Sequence, residues 1–113
     1  MTMLPILENF AHECNENERL RQMNREWNRT IVIRDTDSGN HYWLRSRAGS
    51  IQTGEGPISE ADMQVEGSQE VIRAVFSGEM SPTEPYNAGD LLVKGRQDDL
   101  MRLDIITLLI WGE

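Results

Sequence analysis

The sequence predicts an α+β fold, with helices laid over one face of a mostly antiparallel sheet. Short β-branched, aromatic or apolar runs around Ile31, Leu44, Val65 and Leu92 read as strands. Apolar residues recur instead at helical spacing near Phe10, Val75 and Leu103. Along the chain these segments fall in the order helix, three strands, helix, strand, helix, which suits two packed layers.

Residues Pro5 to Asn28 are helical in character, with an intermittent stripe of Ile6, Leu7, Phe10, Cys14, Leu20, Met23 and Trp27. The polar stretch from Glu13 to Gln22 predicts a break into two pieces. Thr30 to Asp35 then forms a strand, and Asp35-Thr36-Asp37-Ser38-Gly39-Asn40 turns the chain into a hairpin. The return strand, His41 to Arg47, places Tyr42 and Leu44 on one face and Trp43, Arg45 and Arg47 on the other. Ala48-Gly49 makes a further turn, and Gly54, Gly56 and Pro57 read as loop. From Ala61 to Val65 a half-exposed strand directs Met63 and Val65 inward. Ser68 caps the next helix, whose stripe is Val71, Ile72, Val75 and Phe76 and whose end lies near Gly78. Ser81 to Pro85 reads as a loop, or a single helical turn stopped by Pro85.

The last quarter, Asn87 to Trp111, is the most informative. A turn leads into the strand Leu91-Leu92-Val93-Lys94, Gly95 breaks it, and a helix follows with Asp98 and Asp99 in its first turn, facing the positive end of the dipole. Beyond Asp104 the apolar residues Ile105, Ile106, Leu108, Leu109, Ile110 and Trp111 cover every side of that helix. A helix apolar all round has to be buried on more than one side. One side meets the sheet; the other calls for a ligand, a partner chain or a membrane.

Composition narrows the choice. A chain of 113 residues makes one domain, burying about 65% of its unfolded surface. A net charge of −8 argues against nucleic acid and anionic membrane as main partners, since phosphate contacts depend on Lys and Arg. No apolar run approaches the roughly 20 residues that span a bilayer, and no signal segment is expected. A single cysteine, Cys14, allows no internal disulfide and fits a reducing, cytoplasmic setting.

Taken together, these features resemble the sterol carrier protein 2 sterol-binding domain family. The resemblance lies in the strand pair Ile31-Val32-Ile33 and Trp43-Leu44, the strand Asp62-Met63-Gln64-Val65 and the helix end Phe76-Ser77-Gly78-Glu79-Met80. It continues through Ala88-Gly89-Asp90-Leu91-Leu92-Val93-Lys94-Gly95 into Asp98-Asp99-Leu100-Met101-Arg102-Leu103. It spans the chain as one domain, 1–113, and is strongest over 20–111. It implies a five-stranded sheet with helices over one face, enclosing an apolar tunnel for acyl chains or sterols.

No constellation demands a chemical step. His12, Glu13 and Cys14 are adjacent, so on a helix they point about 100° apart, and His41 lies on a distant strand. Their spacing fits no zinc pattern. Gly54-Glu55-Gly56 lacks the third glycine of a phosphate loop. Arg45, Arg47 and Lys94 could receive a fatty-acid carboxylate, although alternating cations on strands are usually solvated.

The expected function is therefore non-enzymatic binding of a fatty acid, acyl thioester or sterol-like molecule in a cavity between sheet and last helix. No cofactor, metal, nucleic acid or stable membrane insertion is expected. The expected contacts are Ile72, Phe76, Met101, Ile105, Leu108 and Leu109; Met101, Ile105 and Leu108 share a helix face expected to line the pocket. The alternatives are a protein-interaction or homodimerisation module, and an accessory domain to an enzyme acting on apolar substrates.

Overall fold

In the computed structural model, which describes residues 3–111, the chain runs through α1 (Leu4–Glu16), α2 (Glu18–Met23), β1 (Arg29–Asp35), β2 (His41–Arg47) and β3 (Ser50–Glu55). It continues through β4 (Met63–Gly67), α3 (Gln69–Phe76), α4 (Thr83–Ala88), β5 (Leu91–Lys94) and α5 (Gln97–Trp111). The strands form one sheet in the order β3-β2-β1-β4-β5, antiparallel except for the parallel pair β1 and β4. This is the α+β architecture expected, with five strands.

The break in the first helical region falls on Asn17. Its extended backbone ends α1 while its N–H donates to the Cys14 carbonyl, and its side chain accepts from the Leu20 N–H to start α2. One Asn thus closes one helix and opens the next, the double duty that Asn and Asp perform at helix starts. Asn15, two residues earlier, reaches the sheet edge. Its Nδ2 donates to the Ile51 carbonyl at 2.9 Å and its Oδ1 accepts the Ile51 N–H at 2.8 Å. The outer edge of β3 is thereby paired near its start by a side chain.

Strand β3 is a departure from the sequence reading, which leaves this stretch as turn and loop. Ser50–Glu55 carries one inward apolar residue, Ile51, so its own composition gives almost no strand signal. Pairing to β2 decides it instead, helped by Trp43, whose indole lies over Gly54 so closely that a Cβ there would come within 2.5 Å of the ring. Helix α4 departs too, running on past Pro85 to Ala88. Pro85 is the third residue of that helix, where its missing N–H forfeits no intrahelical bond. Just before strand β4, Asp62 already joins β1. Its carboxylate accepts the Thr30 N–H, and its N–H donates to the Thr30 carbonyl, both at 2.8 Å.

Because β4 runs parallel to β1, the link from β3 has to cross the sheet. Pro57, Ile58 and Ala61 of this link line one depression with Val32 and Arg34, on the face away from the helices. On the opposite face lies the core. Ile31, Ile33, Tyr42, Leu44, Ile51, Met63 and Val65 meet Leu7, Phe10 and Cys14 of α1, Ile72, Val75 and Phe76 of α3, and Leu103 and Ile106 of α5. Phe10 meets Phe76 edge to face at 5.1 Å between ring centroids.

The β2–β3 turn sets a test of this packing. Ala48 and Gly49 both have positive φ, +50° and +85°, as a tight two-residue hairpin turn requires. Gly49 also lies under α2, where a Cβ would stand 2.5 Å from the Arg21 carbonyl oxygen. Gly49→Ala is expected to lower stability by about 2 kcal/mol or more, from backbone strain plus the clash. Gly39→Ala, at φ +80° with open space around it, is expected to cost only the strain. Urea midpoints of both variants measure the difference.

Candidate functional site

The start of α5 is held by a buried carboxylate. Asp99 is 3% exposed, and its Oδ1 accepts the indole N–H of Trp27 at 3.0 Å and the Arg29 Nε–H at 3.2 Å. Its Oδ2 shares the Arg29 donor, also at 3.2 Å. One turn on, the Arg102 Nη1 donates to the Met23 carbonyl at 2.9 Å and to the Asn24 Oδ1 at 3.1 Å, with its guanidinium 5.6 Å from the Trp27 ring centroid. The N-terminal half of α5 is therefore stitched by charged hydrogen bonds to the segment 23–29. The C-terminal end is held differently. Trp111 packs on Gly78 and lies 5.9 Å from Phe10, centroid to centroid. These contacts are apolar.

Between α5 and the sheet lies a cavity of about 10 Å³. Phe10, Ile31, Leu44, Ile51, Leu103 and Ile106 make its apolar wall, and Trp27, Arg29 and Ser46 bring polar atoms. On the outer side of the same helix a shallow groove of about 170 Å³ runs past Gly78, Met80, Asp104, Leu108 and Trp111.

The expected contacts divide between these surroundings. Ile72 and Phe76 are fully buried in the core behind the cavity, and Leu109 is half-buried against that core. Met101, Ile105 and Leu108 do share a face, but the structure turns it outward, 56%, 42% and 59% exposed. Leu103 and Ile106, each 1% exposed, take the inward positions. The helix therefore presents apolar side chains on two opposite sides.

The other candidates scatter. His12 is exposed and His41 half-buried, whereas Cys14 is buried; burial, reinforced by the charge of Glu13, pushes its thiol up to about 12. Such a thiol is a small apolar core group, unsuited to nucleophilic work. Among the described residues no group of His, Cys, Asp and Glu is placed to hold a metal ion. Gly54 belongs to β3, and Gly56 follows its end. Arg45 lies 5.2 Å from the Trp43 ring centroid on the outer face of the sheet, and Arg47 and Lys94 are exposed. None of these three cations lines the cavity.

Sequence reasoning missed the link between Trp27, Arg29 and Asp99, and it missed Ser46. Trp27 and Arg29 stand two apart where the chain enters β1, which is a weak hint that they share a side. Nothing local distinguishes Asp99 from its solvated neighbour Asp98.

With this geometry established, comparison with known proteins places it. The model of the SCP-2 sterol transfer family matches residues 7–106, and the chain belongs to that family. Among the curated proteins none matches the chain. Among solved structures it is similar to palmitated SCP2L2 from Aedes aegypti, at 15% identity, TM-score 0.72, covering 95% of each chain. It is also similar to UbiJ-SCP2, a ubiquinone synthesis protein, at 12% identity, TM-score 0.78, covering 96% of this chain and 94% of that one. A double mutant of the sec-alkyl sulfatase PisA1 aligns with all of this chain at 12% identity and TM-score 0.77; the match spans only 17% of the sulfatase.

The anchor of α5 gives a measurable expectation. Asp99→Ala strands the Trp27 indole N–H and leaves Arg29 without its counter-ion, so a loss of about 2–4 kcal/mol is expected. Asp98→Ala, on an exposed carboxylate, is expected to change stability by less than about 0.5 kcal/mol. Chemical denaturation followed by tryptophan fluorescence reports both.

Proposed function

We propose that this member of the SCP-2 sterol transfer family, acting as one domain over 1–113, binds a single apolar molecule between its sheet and α5 and performs no chemistry on it. A fatty acid, an acyl thioester or a sterol-like compound fits that description. The supporting observation is the two-sided apolar character of α5. A helix that merely closes a core needs one apolar stripe, yet this one keeps Met101, Ile105 and Leu108 in water while Leu103 and Ile106 face inward.

The cavity of about 10 Å³ is far below the volume of an acyl chain, so entry requires α5 to move. Its two anchorages suggest how. The charged contacts of Asp99 and Arg102 have no substitute in a hydrocarbon, so the N-terminal half stays. The contacts of Trp111 with Phe10 and Gly78 are apolar, and a ligand can replace them at little net cost. Swinging about its first turns, α5 would lay Leu103 and Ile106 on the ligand, with Ile72, Phe76 and Leu109 behind it. Met101, Ile105 and Leu108 would be the surface an incoming molecule meets first. Affinity would come from burying methylenes, about 0.8 kcal/mol each. The setting we propose is the cytoplasm, consistent with the buried Cys14 thiol. No described helix is long and apolar enough to cross a membrane.

A second reading is supported by the exposed apolar face itself. The likeness to part of an alkyl sulfatase and to a ubiquinone synthesis protein fits a domain that presents apolar molecules to an enzyme, with the outer side of α5 docked on the partner. A homodimer would use the same face.

Nile red titrated against about 10 μM protein is expected to give a saturable signal that palmitate or palmitoyl thioester displaces. Leu103→Ala, which enlarges the inner space, is expected to bind Nile red several-fold more tightly while losing about 2–4 kcal/mol of stability. The outward change Leu108→Asp is expected to slow uptake and leave stability unaltered. No saturable signal from any of these ligands, together with a clean doubled mass in native mass spectrometry, would sink the carrier reading in favour of a dimer.

A further inference from the structure

We infer that Ser46 is a specificity-determining residue, whose hydroxyl is the hydrogen-bonding partner for one oxygen of a neutral, otherwise apolar ligand held beneath α5. The inference rests on the ligand-site reading above and ranks the molecules that reading admits: an alcohol or a carbonyl compound is held in preference to a carboxylate or a bare hydrocarbon.

The strand alternation puts Ser46 on the helix-facing side of β2 with Tyr42 and Leu44, 3% exposed. In the sheet register it stands between Arg29 of β1 and Ile51 of β3, and it lines the cavity beneath α5. Its Oγ has no hydrogen-bond partner among the described residues. A buried hydroxyl without a partner lowers stability, and buried polar side chains are normally satisfied, so the position calls for an occupant. Alanine or valine would complete the apolar wall formed by Ile31, Leu44, Ile51 and Ile106 without that cost.

A water molecule satisfies the hydroxyl poorly. The cavity is just large enough for one, but a buried water needs two to four polar partners. Of the polar groups in the lining, the Trp27 indole N–H and the Arg29 Nε–H are committed to Asp99, and the Arg29 Nη1 donates to the Asn28 carbonyl. A ligand oxygen has a lesser requirement, because one hydrogen bond suffices to orient it while its carbon skeleton meets the apolar wall.

The same residues set the preferred charge. Arg29 is the only cation of the lining, and Asp99 already neutralises it at 3.2 Å. A ligand carboxylate would arrive uncompensated in an apolar space and face the Asp99 carboxylate as well. A neutral oxygen meets neither penalty.

The test displaces Nile red from the full chain with decanol, decane and decanoate. Decanol is expected to displace about tenfold better than decane, the worth of one buried hydrogen bond, and decanoate to be the weakest. Ser46→Ala is expected to bring decanol down to the level of decane, to leave decane unchanged and to raise the urea midpoint. Ser46→Thr, which keeps a hydroxyl, is expected to retain the preference and separates a lost contact from a disturbed fold. An unchanged decanol-to-decane ratio in Ser46→Ala overturns the inference while the carrier reading stands, and assigns the hydroxyl to a water only. Stronger displacement by decanoate than by decanol overturns the charge preference. Failure of Nile red to bind wild type at all removes the carrier reading, and this inference with it.

Discussion

The closure of this fold depends on a single buried carboxylate. The sheet offers one face to the helices, and α1 and α3 cover much of it; the remainder is closed by α5, which arrives last in the chain. What orients α5 is Asp99, taken out of water and satisfied by the Trp27 indole and the Arg29 guanidinium, 72 and 70 residues earlier in the sequence. Burying a carboxylate is tolerable only with such partners, and their directionality fixes where the helix begins and which side faces the sheet. Leucine and isoleucine side chains could not do this, since apolar burial has no direction. With six apolar residues in its last seven, the helix could otherwise roll about its axis at little cost.

The architecture was largely legible because periodicity reports burial. Thr30 to Asp35, His41 to Arg47 and Val71 to Phe76 each display one patterned face, and each forms the element expected. Where the local pattern is silent, tertiary pairing decided. Ser50–Glu55 has only Ile51 to bury and is a strand because β2 and Asn15 complete its hydrogen bonds. Pro85 reads as a stop and proves compatible with the first turn of α4.

The site was less legible. A helix apolar on all sides gives no phase, so the spacing of Met101, Ile105 and Leu108 identifies a shared face without saying which way it points. The phase is set by Asp99, and the sequence shows Asp99 only as the second of two acids at a helix start. Ser46 was hidden for a related reason. Alternation along His41 to Arg47 places Ser46 on the same face as Tyr42 and Leu44, but a polar residue there gives no sign of enclosure, which the register with Arg29 and Ile51 shows.

The pairing of Asn15 with Ile51 bears on what happens when the molecule is open. A protein that uncovers its interior to admit a guest exposes apolar surface, and in sheet proteins the hazard is greatest when a bare strand edge is uncovered with it. Here α1, not α5, occupies the β3 edge, so lifting α5 leaves that edge occupied. The opposite edge, β5, is four residues long, too short to template much growth. Opening and polymerisation are thereby uncoupled: the chain can gape without offering its neighbours a ladder on which to assemble.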